Sequence, residues 1–570
     1  MTDRTGTHDW PLRAALLALA GAVIGLALHF LLYVGRWQMT HDEVRLALAS
    51  FLAVGGLAFA VVVERDRQHL SLSFAGIAAL VVASVVYLNG AGSSWDDSEA
   101  WRLTCALLTV AIAAPLFQAW RGGTGGIPYV AAHDHAWTNV VLWIASWVFV
   151  GIAWGLVYLL AELFDLIGLH LLTQLIGKDW FGKVLTGGAL GGAIGLLRDR
   201  ERILGTLQRV VTTVLAVLAP VLAVGLLAFL AALPFTGLTP LWLATKATTP
   251  ILIGCVIGAL VLCNAVIGDR PEEERRGVLR WSAMGLSLTM LPLGIIAGIS
   301  VGLRIDQYGL TPDRLWASIF AAITCVYGLA YLKALVLART HWAEPVRVSN
   351  LRLGIGLCVV ALILSTPLLG FGAMSTRNQM ARLADGRTPE AKFDWTALRF
   401  DFGPSGRAAL SRLATSGPTP AIRAQAAAAL KSQNRWSWRN NQERAVSAST
   451  LDARLKILPR TVPLPADLRL RLAQQDACGS NEPCAVIYTP GAGEAFVAGV
   501  NRWGSGVAVL KLGPKGWLEP DPDGTGTVIG HEAFEDTVRE AAIKRGDVEV
   551  RTVKRRQIFV GGKPQGTPFD

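Results

Sequence analysis

Residues 209–233 read RVVTTVLAVLAPVLAVGLLAFLAAL, and no charged side chain follows Arg209 in this stretch. An α-helix crosses the hydrocarbon core of a bilayer with about 20 apolar residues. The stretch is therefore long and apolar enough to span a membrane as one helix.

Ten further apolar runs predict about eleven spanning helices in all. The fourth and sixth runs are short, so a count of ten also fits. Of the 570 residues, 52% are hydrophobic and 17% are charged, against about 25% charged in average soluble domains, which excludes an ordinary soluble enzyme. The candidate spans are 14–34, 44–63, 70–90, 103–120, 138–161, 183–197, 209–233, 250–268, 280–301, 315–338 and 351–371.

Composition divides the chain into three predicted parts. Residues 1–373 form a transmembrane helical domain, 374–475 a helical extramembrane segment, and 476–570 a β-rich extramembrane module. The predicted fold class is thus an α-helical polytopic membrane bundle followed by a small extramembrane α+β tail. In the tail we predict helices at 377–386, 405–415, 420–432 and 531–545, and strands in AVIYTP, EAFVAGV, GVAVLKLG, GWLEP and VEVRTVKRRQIFVGG.

The net charge of +11 indicates the membrane topology of the chain more than it indicates a binding partner. From Met374 onward, 28 Lys and Arg stand against 20 Asp and Glu, so most of the excess lies in the tail. With a cytoplasmic N-terminus, the inner loops carry 16 Lys and Arg and the outer loops carry 8. The positive-inside rule favours that orientation, with the tail extracytoplasmic. The expected partner is the lipid bilayer, and no sequence pattern supports nucleic-acid binding.

The cysteines give an independent indication of the tail's location. Five of the seven lie in apolar runs, whereas Cys478 and Cys484 are close together in the polar stretch DACGSNEPCAV. The pair predicts a disulfide, and disulfides persist in oxidising compartments. Two unpaired thiols or half of a metal site are the alternatives.

Ionisable residues near the apolar runs are candidates for a polar intramembrane site. Glu162, Asp165 and His170 lie in LLAELFDLIGLHLLTQLIGKDWF, where the segment 163–176 is too short to span. We read it as an interfacial or re-entrant helix. Glu162 and Asp165 are i, i+3 neighbours on one helix face and could hold a proton or cation. The alternative is the polar edge of an amphipathic helix in the headgroup region.

Two segments resemble a known family. They are Arg304–Trp316 (RIDQYGLTPDRLW) and Ser375–Leu383 (STRNQMARL), the latter followed by FDW and LRFDF. Together with the polytopic region, they resemble bacterial multi-pass inner-membrane proteins classed as a domain of unknown function, over most of the chain to about residue 415. The resemblance implies a bacterial inner-membrane location and no particular activity.

The first of these segments also offers a candidate outer loop, formed by Asp306, Tyr308 and Asp313. Thr311 suits the N-cap of the next helix and Pro312 its first position. The loop therefore serves either as a helix cap with an aromatic anchor or as a surface that contacts a substrate.

No sequence motif identifies a reaction, a metal or a cofactor. His531–Glu535 (HEAFE) lacks the second histidine of the zinc-protease motif. Glu519–Gly524 (EPDPDG) imitates the start of a calcium loop, but position 530 is Gly where a bidentate acid is needed. We therefore assign no catalytic residue and no cofactor, and an enzyme acting on lipid-linked substrates stays a minor alternative.

Packing features and two functional hypotheses complete the sequence reading. Small-residue spacings predict close helix approach around Gly187, Gly188, Gly191, Gly192 and Gly195. Prolines 115, 220 and 292 are expected to kink or break their helices.

Transport or translocation across the membrane is the first hypothesis. The alternative is an envelope sensor, scaffold or assembly factor that uses the tail as a binding module.

Overall fold

The protein is described here from a computed structural model. The structure describes residues 10, 12–34, 38–39, 42–90, 95, 97–123, 125–238, 247–438, 451–459, 462–474, 478, 483–499, 507–514, 516–518, 536–550, 556–560 and 563–569. It separates into two compact units, residues 1–423 and 424–570, and each unit is described by itself.

The first unit is a helical membrane bundle. Within the described ranges, eleven helices are long and apolar enough to cross a membrane, which confirms the predicted count. A six-residue helix, α6, separates the fifth span from the sixth. The helices are α1 (Arg13–Leu32), α2 (Glu43–Val62), α3 (Gln68–Asn89), α4 (Asp97–Gly122), α5 (Tyr129–Asp165), α6 (Leu171–Ile176), α7 (Asp179–Arg198), α8 (Glu201–Thr236), α9 (Thr248–Ile267), α10 (Val278–Tyr308), α11 (Pro312–Ala338) and α12 (Ala343–Ser365).

Two details differ from the sequence reading. The last span ends at Ser365 rather than 371, because Thr366 is extended before Pro367, and a residue before proline avoids the helical conformation. Prolines 115, 220 and 292 lie inside α4, α8 and α10, which continue through them. Neighbouring helices and local adjustments satisfy freed backbone groups in membrane bundles.

Helices α1 and α7 lie with their backbones in contact, as the glycine spacing predicts. A methyl group added at Gly187 would lie 2.2 Å from the carbonyl oxygen of Gly21, and one added at Gly191 would lie 2.1 Å from that of Leu17. Gly25 faces the carbonyl of Lys183 in the same way. Only glycine permits this approach, and close packing is the main source of helix association in lipid. The sequence did not identify α1 as the partner.

The largest buried cluster joins α8, α9, α10, α11 and α12. Leu286, Met290 and Leu293 of α10 are fully buried in it, together with Tyr331 and Trp342. Many helices outside this cluster expose apolar side chains on their outer faces, as expected for surfaces that contact lipid.

Three shorter helices follow the last span in the first unit: α13 (Phe371–Ala384), α14 (Trp395–Phe400) and α15 (Gly403–Ser416). A methyl group on Gly372 would lie 2.5 Å from the carbonyl oxygen of Phe402, so α13 packs directly against the start of α15. A further helix, α16 (Pro420–Lys431), confirms the last of the three helices predicted before residue 475.

The second unit contains a five-stranded sheet within its described residues. Its strand order is β3-β4-β5-β6-β7, with β3 parallel to β4 and the other pairs antiparallel. The strands are β3 (Leu455–Leu458), β4 (Cys484–Tyr488), β5 (Glu494–Gly499), β6 (Val507–Gly513) and β7 (Gly516–Leu518); β8 (Arg556–Val560) pairs with β9 (Lys563–Phe569), and β1 (Tyr33–Val34) with β2 (Gln38–Met39) in the first unit.

Helix α17 (Ala466–Gln474) covers the sheet through Leu468 and Leu472, which are fully buried with Val486 and Leu510. The sequence reading missed strands β3 and β9. The predicted late helix is present as α18 (Asp536–Arg545). The zinc-like and calcium-like segments, 531–535 and 519–524, lie outside the described residues.

Candidate functional site

The predicted polar group at the end of α5 is a local turn at the surface of the bundle. Asp165 Oδ1 lies 3.0 Å from His170 Nδ1, and Asp165 Oδ2 accepts a hydrogen bond of 2.7 Å from the Thr173 hydroxyl. Glu162 is exposed and takes no part in these contacts. The structure therefore brings together two of the three predicted residues and adds Thr173, a residue that the sequence reading did not name.

The chain around this turn is not one interfacial helix. α5 runs on to Asp165, a turn with Gly168 at φ +78° follows, and α6 begins only at Leu171. Glycine adopts positive φ without strain, which explains the break. Leu166 and Ile167 in the turn are strongly exposed, so apolar side chains surround the Asp165–His170 pair on the bundle surface.

The predicted outer loop is held by α13. The Asn378 side chain accepts a hydrogen bond of 2.8 Å from the Leu310 amide, and Gln379 Nε2 donates to the carbonyl of Tyr308 at 2.8 Å. Arg382 donates to the carbonyls of Asp306 and Gln307 at 3.1 and 2.7 Å. The two segments that carry the family resemblance thus bind each other, chiefly through the backbone of the loop.

A glycine makes this docking possible. Gly309 has φ +79°, and a methyl group there would lie 2.6 Å from Gln379 Nε2. Thr311 caps α11 and Pro312 begins it, as predicted. The side chains of Asp306, Tyr308 and Asp313 remain exposed, so the loop presents them to its surroundings.

Arginines bind the ends of two spanning helices. Arg121 Nη1 donates to the Val62 carbonyl at 2.8 Å and to the Ser71 hydroxyl at 2.9 Å, and its Nη2 contacts the Glu64 carboxylate. Arg198 also donates to the last turn of α2. These side chains satisfy carbonyls that have no partner inside their own helix.

Arg347 does the same for α9, donating to the carbonyls of Ile267 at 2.5 Å, Arg270 at 3.1 Å and Gly268 at 3.3 Å. The sequence reading counted these arginines only as topology markers. Arg121 and Arg198 lie directly after an apolar run, which is the signal that could have identified them as helix caps, whereas Arg347 lies inside α12 and gives no such signal.

A closed ring of hydrogen bonds joins α9, α11 and α12 inside the bundle. Asn264 Nδ2 donates to Tyr331 Oη at 2.8 Å, Tyr331 Oη donates to Asn350 Oδ1 at 2.9 Å, and Asn350 Nδ2 donates to Asn264 Oδ1 at 2.7 Å. Asn264 Nδ2 also donates to the Leu260 carbonyl at 2.8 Å. The ring therefore joins three spans through hydrogen bonds inside the bundle, which makes it a feature of helix packing.

A cavity lies among α1, α2, α3 and α7. Its volume is about 800 Å³, inside the range of about 300–1,000 Å³ that ligand pockets occupy. Small residues create the space, and Ile24, Leu52 and Leu190 make the wall apolar. The glycines that line it are Gly21, Gly25, Gly55, Gly56, Gly76, Gly182, Gly187 and Gly191.

One end of this cavity is polar. Lys178, Asp179 and Lys183 line it where α7 begins. Lys183 Nζ lies 4.3 Å above the Tyr33 ring and donates to the Asp179 carbonyl at 3.2 Å. Beside them, Trp154 Nε1 donates to the Thr186 hydroxyl at 3.1 Å. The cavity is therefore amphipathic, with an apolar length and a cationic mouth.

The chemistry of the described residues does not indicate a metal centre: among them, no group of three or more His, Cys, Asp or Glu side chains could hold a metal ion. The candidate site residues predicted from the sequence, such as Glu162, Asp165 and Tyr308, do not line the cavity. Sequence reading missed it because the cavity arises where four helices meet, and the clustering of glycines on α1, α2, α3 and α7 is the one signal that pointed towards it.

Eleven long apolar helices among the described residues, with apolar outer faces, define a multi-pass α-helical membrane protein. The chain belongs to the family described as Domain of unknown function (DUF4153), whose model matches residues 48–413. The match ends inside α15 and includes both the outer loop and α13, which agrees with the resemblance drawn from these segments.

Comparisons with curated proteins and with solved structures find no match to this chain.

Proposed function

We propose that the protein binds an amphiphilic molecule of the bilayer and takes part in its transport or translocation. The observation that carries this proposal is the cavity among α1, α2, α3 and α7. An apolar space of about 800 Å³ inside a membrane bundle suits acyl or isoprenoid chains, because water in it would find no hydrogen-bond partners on an apolar wall.

The cationic mouth gives the proposed ligand its orientation. Lys178 and Lys183 outnumber Asp179 where α7 begins, and the N-terminus of a helix adds a partial positive charge. An anionic headgroup would sit at this mouth with its chain along the glycine-lined wall. The ligand class that fits is therefore an anionic amphiphile.

Ion coupling through Glu162, Asp165 and His170 stays a separate hypothesis. The pair formed by Asp165 and His170 lies at the surface of the bundle and outside the cavity wall, so the proposed translocation does not depend on it. Substituting Glu162→Gln and Asp165→Asn tests it. If flux and protein level stay normal, ion coupling at this site is excluded.

A lipid-exchange assay tests translocation. Gly76 lines the cavity, and a Cβ added there meets no atom within 4 Å, so a Gly76→Phe side chain has room to enter the space. Gly254→Phe is the matched control, because Gly254 also faces open space and lies outside the wall. The assay uses proteoliposomes that contain a fluorescent anionic lipid. The wild type and the control should both move this lipid between the two leaflets.

The cavity-filled variant should lose that protein-dependent exchange. Equal rates for Gly76→Phe and the wild type would contradict a role of the cavity in translocation.

An envelope sensor, scaffold or assembly factor is the second candidate. It is supported by a separate unit with its own sheet and buried core in residues 424–570. Because β3 and α17 pack with the strands after residue 476, a clean deletion removes residues 433–570. Loss of cellular function with lipid exchange intact would favour this candidate, and full function without the unit would exclude it.

We further propose a bacterial inner-membrane location with the N-terminus in the cytoplasm and the tail outside. The loop charges support this orientation, and so does the disulfide between Cys478 and Cys484. A periplasm-active reporter fused after Asp570 should be active. A silent reporter on a stable fusion protein would reverse the orientation.

A further inference from the structure

A second cavity lies where α10 begins and α11 ends. Its volume is about 750 Å³. Among the described residues, three arginines and a histidine line it together with one carboxylate, Glu274; the basic residues are Arg276, Arg280, Arg339 and His341. Arg280 and Glu274 form an ion pair of 3.4 Å, so a cationic excess remains after this pairing.

The wall of this basic pocket is fixed by the fold. Arg339 and His341 belong to a single 3₁₀ turn between α11 and α12. The next residue, Trp342, is fully buried and holds the turn against the core. Arg339 has φ +44°, an uncommon conformation for a residue other than glycine, and such conformations cluster at functional sites.

The pocket lies at the boundary between water and lipid. Val278 and Trp281 at the start of α10 and Leu337 at the end of α11 are each about 70% exposed. Tryptophan is enriched at the headgroup level of membranes, and the two aliphatic side chains continue the apolar surface below it. A ligand in the basic pocket would therefore contact hydrocarbon as well as charge.

We propose that this basic pocket binds the phosphate of an anionic phospholipid headgroup, with the acyl chains lying along α10 and α11. Basic pockets between spanning helices bind phosphate-bearing lipid headgroups through such arginine clusters. Arginine also suits this role because its planar guanidinium donates two hydrogen bonds to one phosphate. The pocket is independent of the cavity among α1, α2, α3 and α7, because the two share no residue.

The direct test measures phosphatidylglycerol binding to the full-length protein in a neutral detergent by native mass spectrometry, with Gly76→Phe present in the reference protein and in every variant so that the first cavity does not contribute. Arg276→Gln with Arg339→Gln removes two exposed charges from the wall. The expected loss of affinity is roughly 30-fold, because each basic residue near a membrane surface contributes about a factor of five. The matched control is Arg65→Gln with Arg200→Gln, which removes two exposed arginines from the same end of the bundle, outside the pocket, and should bind like the wild type.

Two further variants keep the test decisive if the glutamine pair folds poorly. Arg276→Lys with Arg339→Lys retains the charge and should retain most of the binding. Trp281→Ala retains every charge but removes the interfacial contact, and should weaken lipid binding. Inorganic phosphate and glycerol phosphate should compete weakly, since they lack acyl chains.

An equal loss in the control pair would reduce the effect to general surface charge and overturn the proposal. If inorganic phosphate competed as strongly as the lipid, the ligand of the pocket would be a soluble phosphate. That result would also overturn the proposal.

Discussion

At the scale of single residues, the arginines have two roles at once. The loop count uses Arg121, Arg198 and Arg347 only as markers of the cytoplasmic side, which is a statistical property of membrane proteins. In the structure, each of them donates to carbonyls at the end of a neighbouring span. These three arginines therefore satisfy carbonyl groups at helix ends, in addition to the role in topology that the loop count gives them.

Replacing Arg121 by methionine tests this structural role. The change leaves the Val62 carbonyl, the Ser71 hydroxyl and Glu64 without this donor, and an unmade buried hydrogen bond costs about 1–3 kcal/mol. We expect the thermal unfolding midpoint of the purified protein to fall. Arg65→Met, at an exposed position on the same end of the bundle, should leave the midpoint unchanged. Equal midpoints for both variants would show that Arg121 acts only in insertion.

The candidate site could be predicted only in part from single residues. Asp165 and His170 are brought together, but Glu162 makes none of these contacts and Thr173 joins instead. The contact between Gly309 and Gln379 spans 70 positions, and sequence spacing carries no signal for it. Such long-range contacts depend on how helices pack, which one sequence does not specify.

At the scale of elements, the existence of the spanning helices follows closely from the length of the apolar runs, whereas their packing partners do not. The small residues of α7 predict a close approach, and the structure identifies α1 as the partner through Gly21 and Gly25. Strand β3 was missed because four residues within a helical stretch give little periodic signal. Its position in the sheet comes from parallel pairing with β4.

The contact between α1 and α7 makes one glycine position sensitive and another tolerant. Gly187→Ala places a methyl group 2.2 Å from the Gly21 carbonyl oxygen, whereas Gly151→Ala in α5 meets nothing within 4 Å. Overpacking costs about 1–3 kcal/mol, while alanine favours a helix over glycine by about 1 kcal/mol. Thermal unfolding should show the first variant destabilised and the second not. A neutral Gly187→Ala would mean that the helices lie further apart.

The disulfide between Cys478 and Cys484 supports the folded sheet unit. The two Cα atoms are 5.4 Å apart, and both cysteines are fully buried in the core beside β4. Closing this short loop contributes about 2 kcal/mol in the chain-entropy model. Cys478→Ser with Cys484→Ser should therefore make residues 424–570 more sensitive to protease.

Thiol counting provides the control for the disulfide. In denaturant, a maleimide should modify the five free cysteines before reduction and all seven after it. Seven modified cysteines before reduction would exclude the disulfide.

At the scale of the whole molecule, composition is enough to place the chain in a membrane, and the eleven predicted spans are all present. The apolar cavity could not be foreseen in this way. It depends on α1 and α7 lying in backbone contact beside α2 and α3, and each of these helices separately reads as an ordinary span. The proposed function therefore depends on how the helices pack against one another more than on any motif within one helix.

The most direct test of that account is photolabelling of the cavity by an anionic phospholipid with a diazirine on its acyl chain. Peptides cross-linked in the full-length protein are identified by mass spectrometry, with Gly76→Phe as the filled variant and Gly254→Phe as its control. We predict labels on wall residues such as Ile24, Leu52 and Leu190, lost in Gly76→Phe and kept in Gly254→Phe. Labels confined to the outer faces of the bundle, equal in all three proteins, would contradict the proposal that the cavity holds an amphiphile.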